Sequence, residues 1–416
     1  MGMIGLSCYI LADTFFISKG LGANGLAALN LAIPIYSFVH GSGLMFGIGG
    51  ATKYSVFRGQ KAYKTSDQVF TNTVYLTAAL AAVFVLAGLF LPGAITSLLG
   101  ADAEIFDMTR IYLKVILLFA PAFMMNDVML CFVRNDGNPR LAMTAMLTGS
   151  LSNILLDYIF IFPLGMGIFG AVLATGLAPI ISMGVLSIHR IKKQNCFHFT
   201  KTALSKSLSA QTLSLGFPSL VTEVAGGIVI IIFNVLIMGI EGNIGVAAYG
   251  VIANLSLVVT SISTGIAQGM QPITSRAYGH GDKKGMHQVL RYAVCTLLIL
   301  SGGIYLAIFV FAGPITSVFN SGNDLQLQQI ATAGLKLYFL SVPFAGFNIV
   351  LSMFFTSTEE ALPAQAVSLL RGFFFIIPAA FILAALAGTT GVWLAVPVTE
   401  GVVAAVGGIL YLRNRT

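Results

Sequence analysis

Apolar and polar stretches alternate along the whole chain in a regular pattern. Each apolar run is close to the roughly 20 residues that a helix needs to cross a bilayer, and short polar connections separate the runs. Twelve such runs cover residues 3–18, 25–50, 70–97, 110–133, 141–162, 167–188, 211–238, 245–270, 288–313, 333–356, 363–388 and 391–412. Because they lack the residue-by-residue alternation of barrel strands, they predict an all-α integral membrane protein with twelve transmembrane helices.

Composition and charge placement agree with a membrane location. Of the 416 residues 57% are hydrophobic and 9% are charged, whereas about a quarter of a soluble domain is charged. With the N-terminus inside, 18 of the 22 lysines and arginines lie on the cytoplasmic side, and the exceptions are Lys19, Arg110, Lys114 and Lys336. The positive-inside rule therefore predicts that both termini are cytoplasmic, and we expect a multi-pass protein of the bacterial inner (plasma) membrane. It also accounts for the net charge of +7 without a nucleic-acid partner.

The chain contains an internal repeat. An offset of 220 aligns residues 11–70 with 231–290, and the identical pairs include Gly22/Gly242 and Gly25/Gly245. A second echo pairs Pro121 with Pro343 and Asn126 with Asn348. Six helices is an even number, so the copies share one membrane orientation and form two pseudo-symmetric six-helix lobes. We expect an N-terminal lobe at 1–188, a basic cytoplasmic linker at 189–209, a C-terminal lobe at 210–416, and a substrate path between the lobes.

Acidic residues inside the spans are the main candidates for chemistry. A carboxylate at the bilayer centre costs about 2.5 kcal/mol or more, so such residues are functional hypotheses by default. Five acids meet this criterion: Asp13, Asp127, Asp157, Glu223 and Glu400. Asn153 and Asp157 stand four residues apart and share one helix face. For Asp13 and Asp157 the pattern favours a site for H⁺ or Na⁺, with a structural buried network as the alternative.

The other intramembrane groups allow weaker interpretations. Glu223 is equally consistent with a coupling role and a structural role, and Pro218 nearby weakens the backbone hydrogen bonding of its helix. Asp127 lies next to Asn126 and within two turns of Arg134, so it fits a local hydrogen-bonded pair better than a coupling site. Glu400 has no partner that the sequence identifies. His40 fits an interior hydrogen bond better than a coupling role.

Several classes of function lack their motifs. GHGDKKG at 279–285 does not have the spacing of a phosphate-binding loop, and the sequence contains no metalloprotease motif, nucleophile elbow or structural metal cluster. The four cysteines have neither zinc spacing nor a paired extracellular arrangement. We therefore expect neither an enzyme nor an ATP-driven pump, and no cofactor.

Three stretches together resemble the multidrug and toxic compound extrusion (MATE) family, especially its MepA-like and DinF-like bacterial branches. They are LADTFFISKGLGANGLAALNLAIPI (11–35), RNDGNPRLAMTAMLTGSLSNILLDYIF (134–160) and GIAQGMQPITSRAYGHGD (265–282). The resemblance implies the MATE fold and a cation-coupled antiporter that works by alternating access. It would exchange H⁺ or Na⁺ for cationic or amphipathic drugs or toxic compounds. The expected partners are a small-molecule substrate and membrane lipid, with the protein a monomer.

The resemblance also implies which residues form the site. Asp13 matches the family's first-helix aspartate, Asn153 and Asp157 its fifth-helix pair, and Thr175 its sixth-helix threonine. Asn126 is a weaker match to the fourth-helix asparagine, and Glu223 stands where relatives often have glutamine. Asp13, Asn153 and Asp157 are the candidate Na⁺ ligands. The first apolar run reaches only about 16 residues before Lys19, short of the roughly 20 of a full span, so we expect the chain to begin inside a longer first helix.

Other functions remain as alternatives. A lipid-linked saccharide or lipid flippase of the same superfamily would share the fold, but that class tends to have more helices and a basic central cavity. A membrane-embedded enzyme would need clustered catalytic groups near one interface, and a channel would need a carbonyl filter. The mainly acidic intramembrane charges favour export of cations.

Overall fold

The computed structural model describes residues 2–320 and 324–415, and within these ranges every regular element is a helix. The elements are α1 (Gly2–Gly59), α2 (Tyr63–Phe90), α3 (Pro92–Leu98), α4 (Phe106–Leu118), α5 (Ala120–Asn135), α6 (Pro139–Ile161), α7 (Gly167–Ile191), α8 (Lys206–Gly279), α9 (Lys283–Phe319), α10 (Leu325–Tyr338), a 3-10 turn (Phe339–Ser341), α11 (Val342–Ser357), α12 (Ala361–Leu369), a π-helical turn (Leu370–Phe374) and α13 (Ile376–Arg415).

Some of these helices are long enough to cross a membrane twice. Eight helical stretches in the described residues have the length and hydropathy of spans, and α4 with α5 forms a further span bent by 47°. Three of the eight are interrupted in their interior by a glycine with positive φ, namely Gly22 in α1, Gly242 in α8 and Gly388 in α13. Dividing these three at their glycines gives twelve spans, as the hydrophobic pattern predicts.

The first of these breaks recurs in both copies of the repeat. Gly22 has φ 69° and ψ −158°, and Gly242 has φ 63° and ψ −153°. This conformation is open essentially to glycine alone. Behind each break, Gly25 and Gly245 leave room for the side chain four residues earlier, Leu21 and Glu241 respectively. The 220-residue offset therefore aligns two helix breaks of the same backbone geometry, which we call the glycine corners at Gly22 and Gly242.

Proline sets the other repeated irregularity. Pro121 lies at the start of α5, directly after the bend that separates it from α4. Pro343 lies at the start of α11, directly after the 3-10 turn that follows α10. Proline lacks a backbone N–H and disfavours helical geometry in the residue before it. The predicted spans 110–133 and 333–356 are thus broken helices.

By its internal contacts the chain divides into two compact units. One comprises Met1–Val224 and Ser275–Asp282, and the other comprises Ala225–Thr274 and Lys283–Thr416. In the second unit the aromatic rings of Phe233, Tyr249 and Trp393 stack in a buried core. The lobe boundary that we place at residues 189–209 from the sequence stays a prediction.

The segment between α7 and α8 is held against the first unit. Its Cys196 N–H donates to Asp136 Oδ2 at 2.7 Å, and His189 Nε2 at the end of α7 lies 2.8 Å from the same oxygen. Phe197 is buried and packs on Phe70 and Phe132. This segment is therefore an ordered strap across the ends of the helices.

Candidate functional site

Two acidic side chains meet inside the first unit. Asp13, on the first half of α1, is 6% exposed, and Asp157, on α6, is fully buried. Their carboxyl groups are hydrogen bonded to each other. Two carboxylates in contact and shielded from water repel strongly, so the pair is stable only when a proton or a cation neutralises part of its charge.

Asn153 connects this pair to the next helix. With its amide oriented to satisfy both neighbours, Nδ2 donates to Asp157 Oδ2 at 3.0 Å and Oδ1 accepts from the Thr175 backbone N–H on α7 at 3.2 Å. The Thr175 hydroxyl donates to the carbonyl of Ala171, one turn earlier, at 3.1 Å. The structure thus brings Asp13, Asn153, Asp157 and Thr175 together from three helices, while their role stays a prediction.

The pair retains acceptor atoms that nothing else uses. Asp13 Oδ1 and Asp157 Oδ1 are buried and have no hydrogen-bond partner among the described residues. Buried polar atoms are almost always satisfied, so orphan atoms call for an explanation. Oxygen atoms of carboxylates and amides suit both H⁺ and Na⁺, and the residues present therefore fit either coupling ion.

Two tyrosines that the sequence pattern does not indicate belong to the same site. Tyr9 lies one helical turn before Asp13, and its hydroxyl is 2.9 Å from that of Tyr36. Tyr112 on α4 is hydrogen bonded to Thr175 and lies within electrostatic range of both acids. The spacing of four between Tyr9 and Asp13 is a signal that would have identified the first. Tyr112 comes from a distant helix and carries no such signal.

Two weaker candidates lie differently. Asn126 on α5 is partly buried, and its Oδ1 has no hydrogen-bond partner in the described part of the chain. Glu223 packs against α1 at Gly41, and its electrostatic neighbours are His40 and Asp127. Asp127, for which the sequence suggests a hydrogen-bonded pair with a residue nearby in the chain, has His40 from α1 beside it. Glu223 and Asp127 thus form a group of their own.

Glu400 has buried partners in the second unit. Arg371 Nη2 donates to its Oε1 at 2.7 Å, and Asn348 Nδ2 donates to its Oε2 at 2.7 Å. Arg371 lies in the π-helical turn, an irregularity that is frequent at functional sites. Asn348 is the repeat equivalent of Asn126. The sequence pattern indicates no partner for Glu400 because both contacts depend on how helices pack.

Known proteins resemble this chain over most of its length. A model of the MatE family matches residues 1–159 and 218–388. The multidrug export protein MepA of Staphylococcus saprophyticus is 26% identical over 411 residues, which cover 98% of this chain and 90% of that protein. MepA of Staphylococcus aureus is also 26% identical, over 412 residues, with the same coverage.

Solved structures give the same fold. A multidrug resistance MATE family transporter of the MOP superfamily in an outward-facing conformation has a TM-score of 0.91 at 24% identity, over 99% of this chain and 93% of that chain. A mutant of the Vibrio cholerae MATE transporter VcmN has a TM-score of 0.91 at 22% identity, with the same coverage. At these identities the likeness supports the architecture alone.

Proposed function

Because the chain belongs to the MatE family of multi-pass membrane transporters, we propose that it is an antiporter that exports cationic or amphipathic compounds in exchange for H⁺ or Na⁺. It is a transporter and not an enzyme. The observation that supports ion coupling is the contact between the buried carboxyl groups of Asp13 and Asp157. Two relatives that match almost the whole chain are named multidrug export proteins, which supports drugs or other toxic compounds as the exported substrates.

The proposed mechanism uses the charge of the carboxyl pair. When H⁺ or Na⁺ binds, the pair loses negative charge and no longer attracts a cationic substrate. A ligand shifts a conformational equilibrium only by its difference in affinity between the two states. Ion and substrate that favour opposite states therefore displace each other reciprocally, which is the requirement for exchange.

The break at Gly22 supplies a point at which the first half of α1 can turn. A Cβ at Gly22 would meet no atom within 4 Å, so packing does not fix this corner. Movement there would carry Asp13 relative to Asp157 on α6, because Asp13 lies on the N-terminal side of the break. Hinges are a few residues that absorb large backbone changes.

The setting of the transporter is part of the proposal. We place it in the bacterial plasma membrane with both termini in the cytoplasm, because 18 of its 22 basic residues then lie inside. It acts as a monomer surrounded by lipid, with the coupling ion as its only cofactor.

A transport assay with separate ion gradients tests this function. Purified protein in liposomes is supplied with a cationic dye and either a proton gradient or a sodium gradient, each with an ionophore control. We expect dye movement that follows one gradient and stops when the ionophore collapses it. A parallel assay with labelled lipid-linked saccharide tests the flippase alternative. Movement of the saccharide without movement of the dye would refute the proposed export of cations.

A further inference from the structure

A second group of ionisable side chains lies in the first unit. His40 Nδ1 on α1 lies 2.9 Å from Asp127 Oδ2 on α5, and the two side chains are 15% and 5% exposed. Glu223 on α8 is close enough to both for its charge to interact with theirs. Three titratable groups from three helices therefore share one mostly buried region.

Glycines in the run HGSGLMFGIGG (40–50) create this arrangement. A Cβ on Gly43 would lie 2.6 Å from Asp127 Oδ2 and 2.9 Å from the Cα of Met124, so only a glycine lets α5 come this near. A Cβ on Gly41 would lie 3.1 Å from the Cβ of Glu223 on α8. Gly41 thus allows Glu223 on α8 to approach α1 closely, and Gly43 does the same for Asp127 on α5.

Charge counting shows what such a group can bind. With both acids ionised and His40 protonated, the group carries one net negative charge. One further proton makes it neutral. Burying an uncompensated charge is costly, and histidine and buried carboxylic acids are the side chains that most readily change protonation in proteins.

We propose that His40, Asp127 and Glu223 form a second proton-binding site of the transporter, separate from the Asp13–Asp157 pair. The site exchanges one proton between a singly negative and a neutral state. Its use in transport rests on the proposed antiport function, whereas its titration does not.

The surrounding groups connect the two sites. The Tyr36 ring stacks on the His40 ring at a centroid distance of 5.9 Å and an interplanar angle of 7°. The Tyr36 hydroxyl is 2.9 Å from that of Tyr9, which lies within electrostatic range of Asp13 and Asp157. On α5, Cys131 faces Asp127 and is itself near Arg134. Tyr36 and Tyr9 therefore lie between the two sites.

Infrared titration of the purified protein in nanodiscs tests the site directly. Protonated buried carboxylic acids give a carbonyl band distinct from that of carboxylates, and its intensity is followed against pH. The reference protein carries Asp13→Asn and Asp157→Asn, which removes the first site. We expect a titrating carboxylic band to remain in this protein and to be lost when Asp127→Asn and Glu223→Gln are added. Because the comparison is a difference, other acids cancel.

Single variants assign the remaining band. His40→Gln in the reference protein should move the titration midpoint of this carboxylic band by about one pH unit or more, because the substitution removes a charge next to the acids. Matched controls are His287→Gln, at a half-buried histidine on α9 outside this group, and Glu241→Gln, at a glutamate that accepts from Thr389 in the second unit. Both should leave the band unchanged. If Asp127→Asn does not fold, Glu223→Gln alone carries the assignment.

The outcomes separate this proposal from the function on which its use depends. A reference protein without any band that Asp127→Asn or Glu223→Gln removes would overturn the second site, whatever the transport assay shows. A band that behaves as expected in a protein without ion-driven transport would leave the site standing and refute the antiport function alone.

Discussion

At the residue scale, the two units treat buried charge in different ways. In the first unit two acids face each other at Asp13 and Asp157, and in the proposed function an exchangeable ion completes their charge. In the second unit Glu400 is already neutralised by Arg371 and hydrogen bonded to Asn348. Under the proposed function the first-unit pair exchanges an ion, whereas the paired charges in the second unit predict a structural role for Glu400.

Removing one partner of the second-unit ion pair should destabilise the protein. Glu400→Gln leaves the Arg371 guanidinium buried without its counter-charge, which costs about 3–5 kcal/mol of unfolding free energy. Replacing both partners, as Arg371→Met with Glu400→Leu, should cost much less because no charge stays buried. The unfolding free energy in mixed micelles measures both, with Glu241→Gln as control. Equal stability of Glu400→Gln and the unmodified protein would contradict a structural role.

The strap between α7 and α8 contains a cysteine, Cys196, whose reactivity should depend on pH. Burial raises the pKa of the Cys196 thiol, and the nearby Asp136 carboxylate raises it further. Since only the thiolate reacts, a raised pKa lowers the reactive fraction at neutral pH and makes the rate climb with pH. We expect maleimide to label Cys196 more slowly at pH 7.5 than a cysteine introduced by Ala203→Cys, at an exposed position of the same segment. Equal rates at pH 7.5 would show that the strap leaves this thiol exposed and unperturbed.

At the element scale, glycine corners define the repeat. Gly22 and Gly242 adopt nearly the same backbone angles in a region that other residues avoid. Neither would meet an atom within 4 Å if it carried a Cβ. The requirement for glycine is therefore conformational, and it is the same in both copies.

Replacing either glycine, Gly22 or Gly242, by alanine should lower the free energy of unfolding by a similar amount. Gly22→Ala and Gly242→Ala should each lower the unfolding free energy by about 1–3 kcal/mol, because alanine strains the backbone there. Gly239→Ala is the matched control, since Gly239 lies within α8 in open space without a positive φ. In a helix interior alanine should be neutral or stabilising by roughly 0.5–1 kcal/mol. Unequal costs at the two corners would contradict their equivalence.

The sequence predicts elements better than it predicts contacts. Hydropathy locates the twelve spans, and the 220-residue offset finds Gly22 and Gly242. Both signals can be read from the sequence without knowing how the helices pack. The partners of Asp127 and Glu400 escape prediction because they depend on how each helix is rotated about its axis. Close packing sets that rotation, for example where Gly43 admits Asp127. The MATE fold itself is confirmed by the family match and by the solved structures.

At the scale of the whole molecule, the two copies of the repeat share their helix breaks but do not share the acidic site. The corners at Gly22 and Gly242 and the prolines at 121 and 343 recur, whereas Asp13 aligns with Phe233, which is buried in the core of the second unit. Duplication thus preserved the backbone breaks, and the acid that we assign to ion coupling occurs in the first copy alone.

We propose that the Asp13–Asp157 pair couples an ion gradient to export. Asp157→Asn keeps the shape of the side chain but removes one of the two carboxylates that bind the ion, so coupling should fail. The Asp13 carboxylate remains and still attracts a cationic substrate, so substrate binding should survive. The most direct measurement compares two fluxes of a cationic dye in proteoliposomes, namely accumulation driven by the ion gradient and dye-for-dye exchange without a gradient. We predict that Asp157→Asn loses the first by more than tenfold and retains most of the second. Gradient-driven accumulation at the level of the unmodified protein would show that the Asp13–Asp157 pair does not couple the ion gradient to export.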